Sequence, residues 1–351
     1  MILVAVDTMG DHRHKGVVIA GPSAIAENEC SRRTVAISTR KGRVSVDLSE
    51  APGGRLKEVR VESLQIQGIS IPRIGLGTFR MQGETCRAAV ESALALGYRH
   101  VDTAEMYGNE AAVGVAIAAS GLPREDIHVT TKVWPENLAP DRIRRSFDAS
   151  LQKLRLDYVD LYMVHWPVQG MDLPAIFKAF GRLQEEGLTR AIGVCNFTVP
   201  LLRTVIETIR APIACNQIEY HVLLDQGPVR AYLQGKSIPI TAYCPLAQGS
   251  LAKNPELTEI GKKHGASAAQ VALKWLLDQG GVIAIPKAQR PESQKANLDA
   301  LRLTLDEQDQ RAIAALPKNR RLIRTTCSAL TAICVGKRWF PCVQRLAVNV
   351  S

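Results

Sequence analysis

Along the 351 residues, acid–base and amide side chains recur at one place in a repeating pattern, just after a β-like run and before a helix-like one. Asp102 follows the second such run, with Tyr107 in the loop behind it. Lys132 ends the third, and His165, in His165-Trp166-Pro167, ends the fourth. Cys195-Asn196 end the fifth, Asn216-Gln217 lie on the sixth, Tyr243 on the seventh, and Lys287 closes the eighth. Carboxylate, phenol, amine and imidazole are the groups that hold and move protons in enzymes. Any one of them alone is more often structural than chemical. Polar groups at the same end of nearly every strand are hard to explain as packing. Metal chemistry is not indicated. None of the eight cysteines forms Cys-x-x-Cys, and no His pair lies nearby at zinc spacing.

The elements that must hold these residues follow a regular grammar. Val61 to Pro72 reads as a hairpin. Strand-like runs then begin near Ile74, His100, His128, Val159, Arg190, Ala214, Ile238 and Val282. Between them lie stretches with helical apolar spacing, among them Thr85–Leu96, Arg142–Leu154, Ile176–Leu183 and Ala268–Leu277, with Gly97, Gly121, Gly187 and Gly265 at helix ends. Long crossovers mean parallel pairing. Eight strand–helix units in this length predict an α/β fold of the closed (β/α)8 TIM-barrel type, with a doubly wound open sheet as its rival. In such a barrel the active site lies at the C-terminal ends of the strands, where the polar residues fall. Gly75-Leu-Gly77-Thr-Phe-Arg80 lacks the third glycine of a Rossmann fingerprint.

Several stretches resemble the aldo-keto reductase family. They are Ile74-Gly-Leu-Gly-Thr-Phe, Gly97-Tyr-Arg-His-Val-Asp-Thr-Ala-Glu-Met-Tyr-Gly-Asn-Glu, Thr131-Lys-Val-Trp, Leu156-Asp-Tyr-Val-Asp-Leu-Tyr-Met-Val-His-Trp-Pro, Ile192-Gly-Val-Cys-Asn-Phe, Asn216-Gln-Ile-Glu-Tyr, Thr241-Ala-Tyr-Cys-Pro-Leu and Ile283-Ala-Ile-Pro-Lys. They occur in the family's order over residues 60–317 and are most similar to the bacterial diketogluconate and methylglyoxal reductase branch. The resemblance implies a catalytic tetrad of Asp102, Tyr107, Lys132 and His165, reducing aldehydes and ketones with a nicotinamide cofactor. A phenol is a poor acid–base catalyst at neutral pH unless its anion is stabilised. In this scheme Lys132 stabilises it, Asp102 keeps the lysine charged and oriented, and His165 orients the substrate oxygen. Phe79, Trp134 and Trp166 would join His165 in walling the substrate pocket.

The same resemblance assigns the cofactor contacts. Tyr243 would stack on the nicotinamide, and Asn196 and Gln217 would hydrogen-bond its carboxamide. Cys195, Pro245 and Leu246 would complete that end, and Lys287, Ala288, Arg290, Ser293 and Asn297 would form the adenosine-phosphate end. Cys195 and Cys244 stand where the family has serine, and a thiol is a weak donor. Ala288 replaces a hydroxyl residue, and Ser293 stands where NADP-preferring members carry arginine; Arg290 and Lys295 are close enough to compensate. NADP(H) is therefore expected over NAD(H), with a weaker preference than usual.

Charge bounds the remaining readings. The net charge is +10. Residues 1–60 hold 10 basic and 7 acidic side chains, and residues 318–351 hold 7 basic and no acidic ones, so residues 61–317 carry 27 of each. A neutral body argues against a nucleic-acid partner. No apolar run spans a bilayer, no signal peptide is recognisable, and scattered cysteines suit a reduced cytoplasmic protein. The expected organisation is an unassigned extension at 1–57, a barrel at 58–322 that acts as a monomer, and an atypical basic tail at 323–351. That tail departs from the family's closing loop and reads as a shifted frame. In the first segment only Val17–Ala20 and Val44–Leu48 look β-like. A nucleotide-binding regulatory protein or weakly active pseudoenzyme on the same scaffold is the alternative from a different functional class; a sugar-phosphate lyase or isomerase is disfavoured because no glycine-rich phosphate loop follows the last strands.

Overall fold

The structure is a computed structural model that describes residues 61–323 throughout, together with the backbone at 34–39 and 42–47. There, β1 (Thr34–Thr39) and β2 (Gly42–Asp47) pair antiparallel with Thr39 opposite Gly42. The β-like run expected from Val44 falls largely within β2. Val17–Ala20 and the basic tail from residue 324 lie outside the described residues.

In the larger unit, β3 (Ser63–Ile66) and β4 (Ile69–Pro72) form the expected hairpin. Its two-residue turn, Gln67-Gly68, takes positive φ at both positions, which matches the right-handed twist of the flanking strands. Eight parallel strands follow in sequential order: β5 (Leu76–Gly77), β6 (His100–Asp102), β7 (His128–Val133), β8 (Val159–Val164), β9 (Thr189–Cys195), β10 (Ile213–Glu219), β11 (Ile240–Tyr243) and β12 (Val282–Ala284). The sheet closes on itself. Ile74 bridges Ala284, the Gly75 amide donates to the Ala284 carbonyl at 2.9 Å, and the Ala284 amide donates to the Arg73 carbonyl at 2.9 Å. Gly77 suits this seam because a Cβ there would meet the Ile285 carbonyl oxygen at 2.7 Å. A closed barrel has no free sheet edge. The open doubly wound alternative is excluded.

The crossovers are α1 (Gly83–Ala95), α2 (Glu110–Ala119), α3 (Pro140–Leu154), α4 (Leu173–Glu185), α5 (Val199–Arg203) with a π turn at Thr204–Thr208, α6 (Gly227–Gln234), the pair α7 (Pro255–Lys263) and α8 (Ala268–Leu277), and α9 (Pro291–Asp299), followed by α10 (Glu307–Ala315). Their sequences dictate both face and ends. In α3, Ile143, Phe147 and Leu154 are buried at helical spacing while Arg144, Arg145 and Asp148 face solvent. In α4 the Asp172 side chain caps the Ala175 amide at 3.0 Å. A capping box of Ser267 and Gln270 opens α8.

Both faces of the barrel wall are buried, so β7, β8 and β10 have no exposed position. Side chains turned outward, such as Tyr162 and Val164, pack with Phe147 and Phe180 of the helices. A separate cluster of Leu161, Met163, Ala191, Cys195, Ala214, Cys215 and Ile283 fills the barrel, joined by Ile69 and Ile71 of the hairpin. The hairpin therefore plugs one end with hydrocarbon, and the candidate catalytic residues lie at the other.

Candidate active site

Every strand contributes to the site through its C-terminal end, and each neighbour is fixed by ladder register. Asp102 is the last residue of β6 and Lys132 lies near the end of β7. Tyr107 sits in a 3-10 turn, Glu105–Tyr107, that ends at Gly108 with φ 66°. His165 follows β8, its amide donating to the Val133 carbonyl at 3.0 Å.

These four residues converge. The Lys132 side chain has no exposed surface. Its Nζ donates to Asp102 Oδ1 at 2.6 Å, to the Thr103 carbonyl at 2.8 Å and to Tyr107 Oη at 3.5 Å. All three ammonium donors therefore have acceptors. Burial opposes the charge, but Asp102 and Tyr107 outweigh it and hold Lys132 above the usual lysine range. Burial pushes the Tyr107 phenol up while Lys132 pulls it down, and the proton stays on oxygen. Burial, reinforced by Lys132, holds His165 well below its ordinary 6.5, so the imidazole is neutral. Its Nδ1 is buried without a hydrogen-bond partner.

Aromatic rings frame the opening. Phe79 lies 5.0 Å from the Tyr107 ring, Tyr107 lies edge-on to His165 at 5.5 Å, and Trp134 lies edge-on to His165 at 5.1 Å. Trp166 is half-buried beside His165. Tyr243 is half-buried at the end of β11, and its hydroxyl donates to Asn196 Oδ1 at 2.9 Å. Asn196 adopts φ 62° and donates to the His165 carbonyl at 3.3 Å. The buried Gln217 amide donates to Asp102 Oδ2 at 2.7 Å, a bond to the tetrad that the sequence did not suggest. Cys195 is buried among the barrel-filling residues, its Sγ 4.0 Å from Met163 Sδ.

A second group lies where β5, β12 and α9 meet. Lys287 Nζ donates to the Arg80 carbonyl at 3.2 Å, and burial together with the Arg80 charge lowers its pKa. Arg290 is at the N-terminal boundary of α9, and Ser293 stands in its first turn, half-buried. Ala288 and Asn297 are buried. Lys295 is paired with Asp299 one turn along. Among the described residues Arg80, Lys287 and Arg290 form no ion pair with a carboxylate. Pro245 and Leu246 follow Cys244, whose φ is 49°. No group of three or more His, Cys, Asp or Glu side chains that could hold a metal ion occurs among the described residues. No helix there is long and apolar enough to cross a membrane.

Two carboxylates escaped the sequence reading. Glu105 accepts from the Trp134 amide and from the Ser146 hydroxyl. Glu219, fully buried at the end of β10, accepts from the Leu322 and Ile323 amides at 2.7 and 2.9 Å and contacts His221 Nε2 at 3.1 Å. No spacing rule announces either. Each has amide partners distant in sequence.

A closed eight-stranded barrel with a buried Asp–Lys pair against a tyrosine and a neutral histidine defines an oxidoreductase of the carbonyl-reducing kind. The chain belongs to the Aldo/keto reductase family, whose model matches residues 73–318. It is 45% identical over 258 residues to methylglyoxal reductase DkgB of Escherichia coli O157:H7, covering 73% of this chain and 96% of that protein. It is 39% identical over 257 residues to the glyoxal reductase of Bacillus subtilis strain 168, covering 73% and 92%. Among solved structures, the aldo-keto reductase MGS-M4 from a Medee basin deep-sea metagenome library has a TM-score of 0.71 at 39% identity, covering 74% of this chain and 95% of that one.

Proposed function

We propose that the chain reduces aldehydes and ketones (small carbonyls, keto-sugars or keto-acids) to alcohols with NADP(H) in preference to NAD(H), with Tyr107 as the general acid. The observation that carries this reading is the Lys132 ammonium, fully buried and held between Asp102 and Tyr107. The residues present fit a nicotinamide dinucleotide. Lys287 reaches the Arg80 carbonyl, and among the described residues neither of these cations nor Arg290 pairs with a carboxylate, which leaves positive charge available to an anion. Tyr243, Asn196, Gln217, Cys195, Pro245 and Leu246 would hold the nicotinamide end, and Lys287, Ala288, Arg290, Ser293 and Asn297 the phosphate end. The bound cofactor supplies hydride to the carbonyl carbon.

The chain's own residues supply the rest. The Tyr107 hydroxyl donates its proton to the carbonyl oxygen as negative charge develops there, and the neighbouring Lys132 cation stabilises the phenolate left behind. Asp102, itself held by Gln217, fixes the lysine. Neutral His165 hydrogen-bonds and orients the substrate oxygen without competing to protonate it. Phe79, Trp134 and Trp166 exclude water. A barrel of 58–322 acting as a monomer in the cytoplasm completes the reading.

The test is NADPH absorbance followed against a panel of aldehydes and keto-acids, with Tyr107→Phe as control. The variant loses only a hydroxyl. NADPH binding and folding should survive while turnover falls by roughly 10²–10⁴, the worth of a positioned acid. Near-wild-type rates in the phenylalanine variant would overturn the assignment.

A further inference from the structure

We infer that Glu105 is a positioning residue that fixes the substrate wall, its carboxylate tying the turn that carries Tyr107 to the loop that carries Trp134. The inference rests on the reading above, in which Tyr107 is the acid and Trp134 lines the pocket. Glu105 opens the 3-10 turn that Tyr107 closes. Its Oε1 accepts from the Trp134 backbone amide, both its oxygens lie within reach of Asn137 Nδ2 at 3.2 and 3.3 Å, and its Oε2 accepts from the Ser146 hydroxyl on α3. These bonds go to the Trp134 loop and α3 and none to a tetrad side chain, and no cation pairs with the carboxylate among the described residues.

Three neutral donors around one carboxylate make a device for shape. The Trp134 amide is the first beyond β7, where the chain leaves the ladder and enters the Pro135–Asn137 turn. Without an acceptor this amide would be left to water and the loop free to shift. Charge-assisted bonds are about twice as strong as neutral ones, so the carboxylate holds the loop where an uncharged acceptor would hold it less firmly. Trp134 in turn lies edge-on to His165 at 5.1 Å, and His165 edge-on to Tyr107 at 5.5 Å. The acid and the wall opposite it are thus set by one side chain that touches neither reactant.

The experiment compares wild type, Glu105→Ala and Glu105→Gln in steady state with methylglyoxal and with a bulkier aromatic aldehyde at saturating NADPH. NADPH affinity is measured separately by protein-fluorescence quenching. Alanine should raise the carbonyl KM about ten-fold, as expected for loss of a charge-assisted bond, with kcat within a few-fold and NADPH affinity within two-fold. Glutamine keeps an acceptor for the Trp134 amide and offers its NH2 to the Ser146 oxygen, but lacks the charge, so it should recover about half of the loss. An unchanged KM in alanine, or equal falls in kcat and NADPH affinity without rescue by glutamine, would overturn the inference. Acrylamide quenching of the tryptophan fluorescence, corrected with Trp134→Phe, gives a readout independent of turnover. If the wild type reduces nothing on the panel, the reductase reading fails, and this quenching still decides whether Glu105 fixes the loop: greater access in alanine supports it, equal access refutes it.

Discussion

An ammonium with no exposed surface persists at Lys132 because each of its donors meets an oxygen, and the carboxylate among them is itself held from its far side by Gln217. Removing one partner of such a pair leaves an uncompensated buried charge, at a typical cost of 3–5 kcal/mol. That cost explains why Tyr107→Phe, which leaves the pair intact, is the cleaner probe of chemistry. At the proposed phosphate end the cations Lys287 and Arg290 are exposed and the energetics gentler. Ser293 stands half-buried in the first turn of α9, beside Arg290, and Lys295 is committed to Asp299. Arginine at 293 would add a planar fork for the 2′-phosphate of NADPH. Ser293→Arg should tighten NADPH by about 1.5–3 kcal/mol, the range of a hydrogen bond to a charged group, and leave NADH nearly unchanged. Equal shifts for both cofactors in titrations would show that position 293 does not face that phosphate.

Elements position these residues by rules of different legibility. The helix over Ala268–Leu277 is readable to the residue because apolar spacing and the Ser267–Gln270 capping box agree. The tetrad is readable because barrel topology requires strand ends to converge. β5 is shorter than its sequence suggests. Its run from Ile74 keeps only Leu76–Gly77 as a strand beside β6, while Ile74 and Gly75 bond across the closing seam to β12. Glu105 and Glu219 were not legible, since their acceptors' value depends on amides that lie 29 and more than 100 residues away. Glu219 fastens the segment after α10 to the active-site end of β10, with Arg320 and Lys318 adding backbone bonds to Leu223 and Asp225. A boundary after residue 322 therefore removes one of its two amide bonds. Glu219→Ala strands His221 and two amides and should lower stability by about 2–4 kcal/mol in urea unfolding. Glu219→Gln keeps one acceptor oxygen and should cost less. Equal, negligible losses in both variants would mean that the clasp is not carried by this carboxylate.

At the scale of the whole molecule, among the described residues three buried histidines are held neutral, and they lie at both ends of the barrel. His165 is at the catalytic end. His100 and His128 lie toward the hairpin, edge to face at 4.7 Å, with His100 Nδ1 3.3 Å from the Pro72 carbonyl and Thr130 Oγ1 within 3.5 Å of both rings. Burial lowers His100; burial, then His100 and Arg124, hold His128 well below 6.5; burial and Lys132 do the same for His165. The sign follows from which state binds protons. Below about pH 6.5 the unfolded chain protonates these histidines while the native chain does not, so their stability contribution is complete above 6.5 and is lost as pH falls toward the native values. Each should steepen the loss by about 1.4 kcal/mol per pH unit within that window. Glu219 and Asp309, whose carboxyls are held below their ordinary values, begin to contribute to acid loss only near and below pH 4.5, and Glu110, raised by burial, works in the opposite sense as pH falls, so a loss between 6.5 and 5 comes from the histidines. Urea unfolding at pH 7.5, 6.5, 5.8 and 5.2 should give a level stability above 6.5 and a steep decline below it, shallower in His128→Gln. A stability unchanged from pH 7.5 to 5.2 would mean that the native barrel takes up these protons as readily as the unfolded chain, and that its two histidine layers are more open to water than their burial implies.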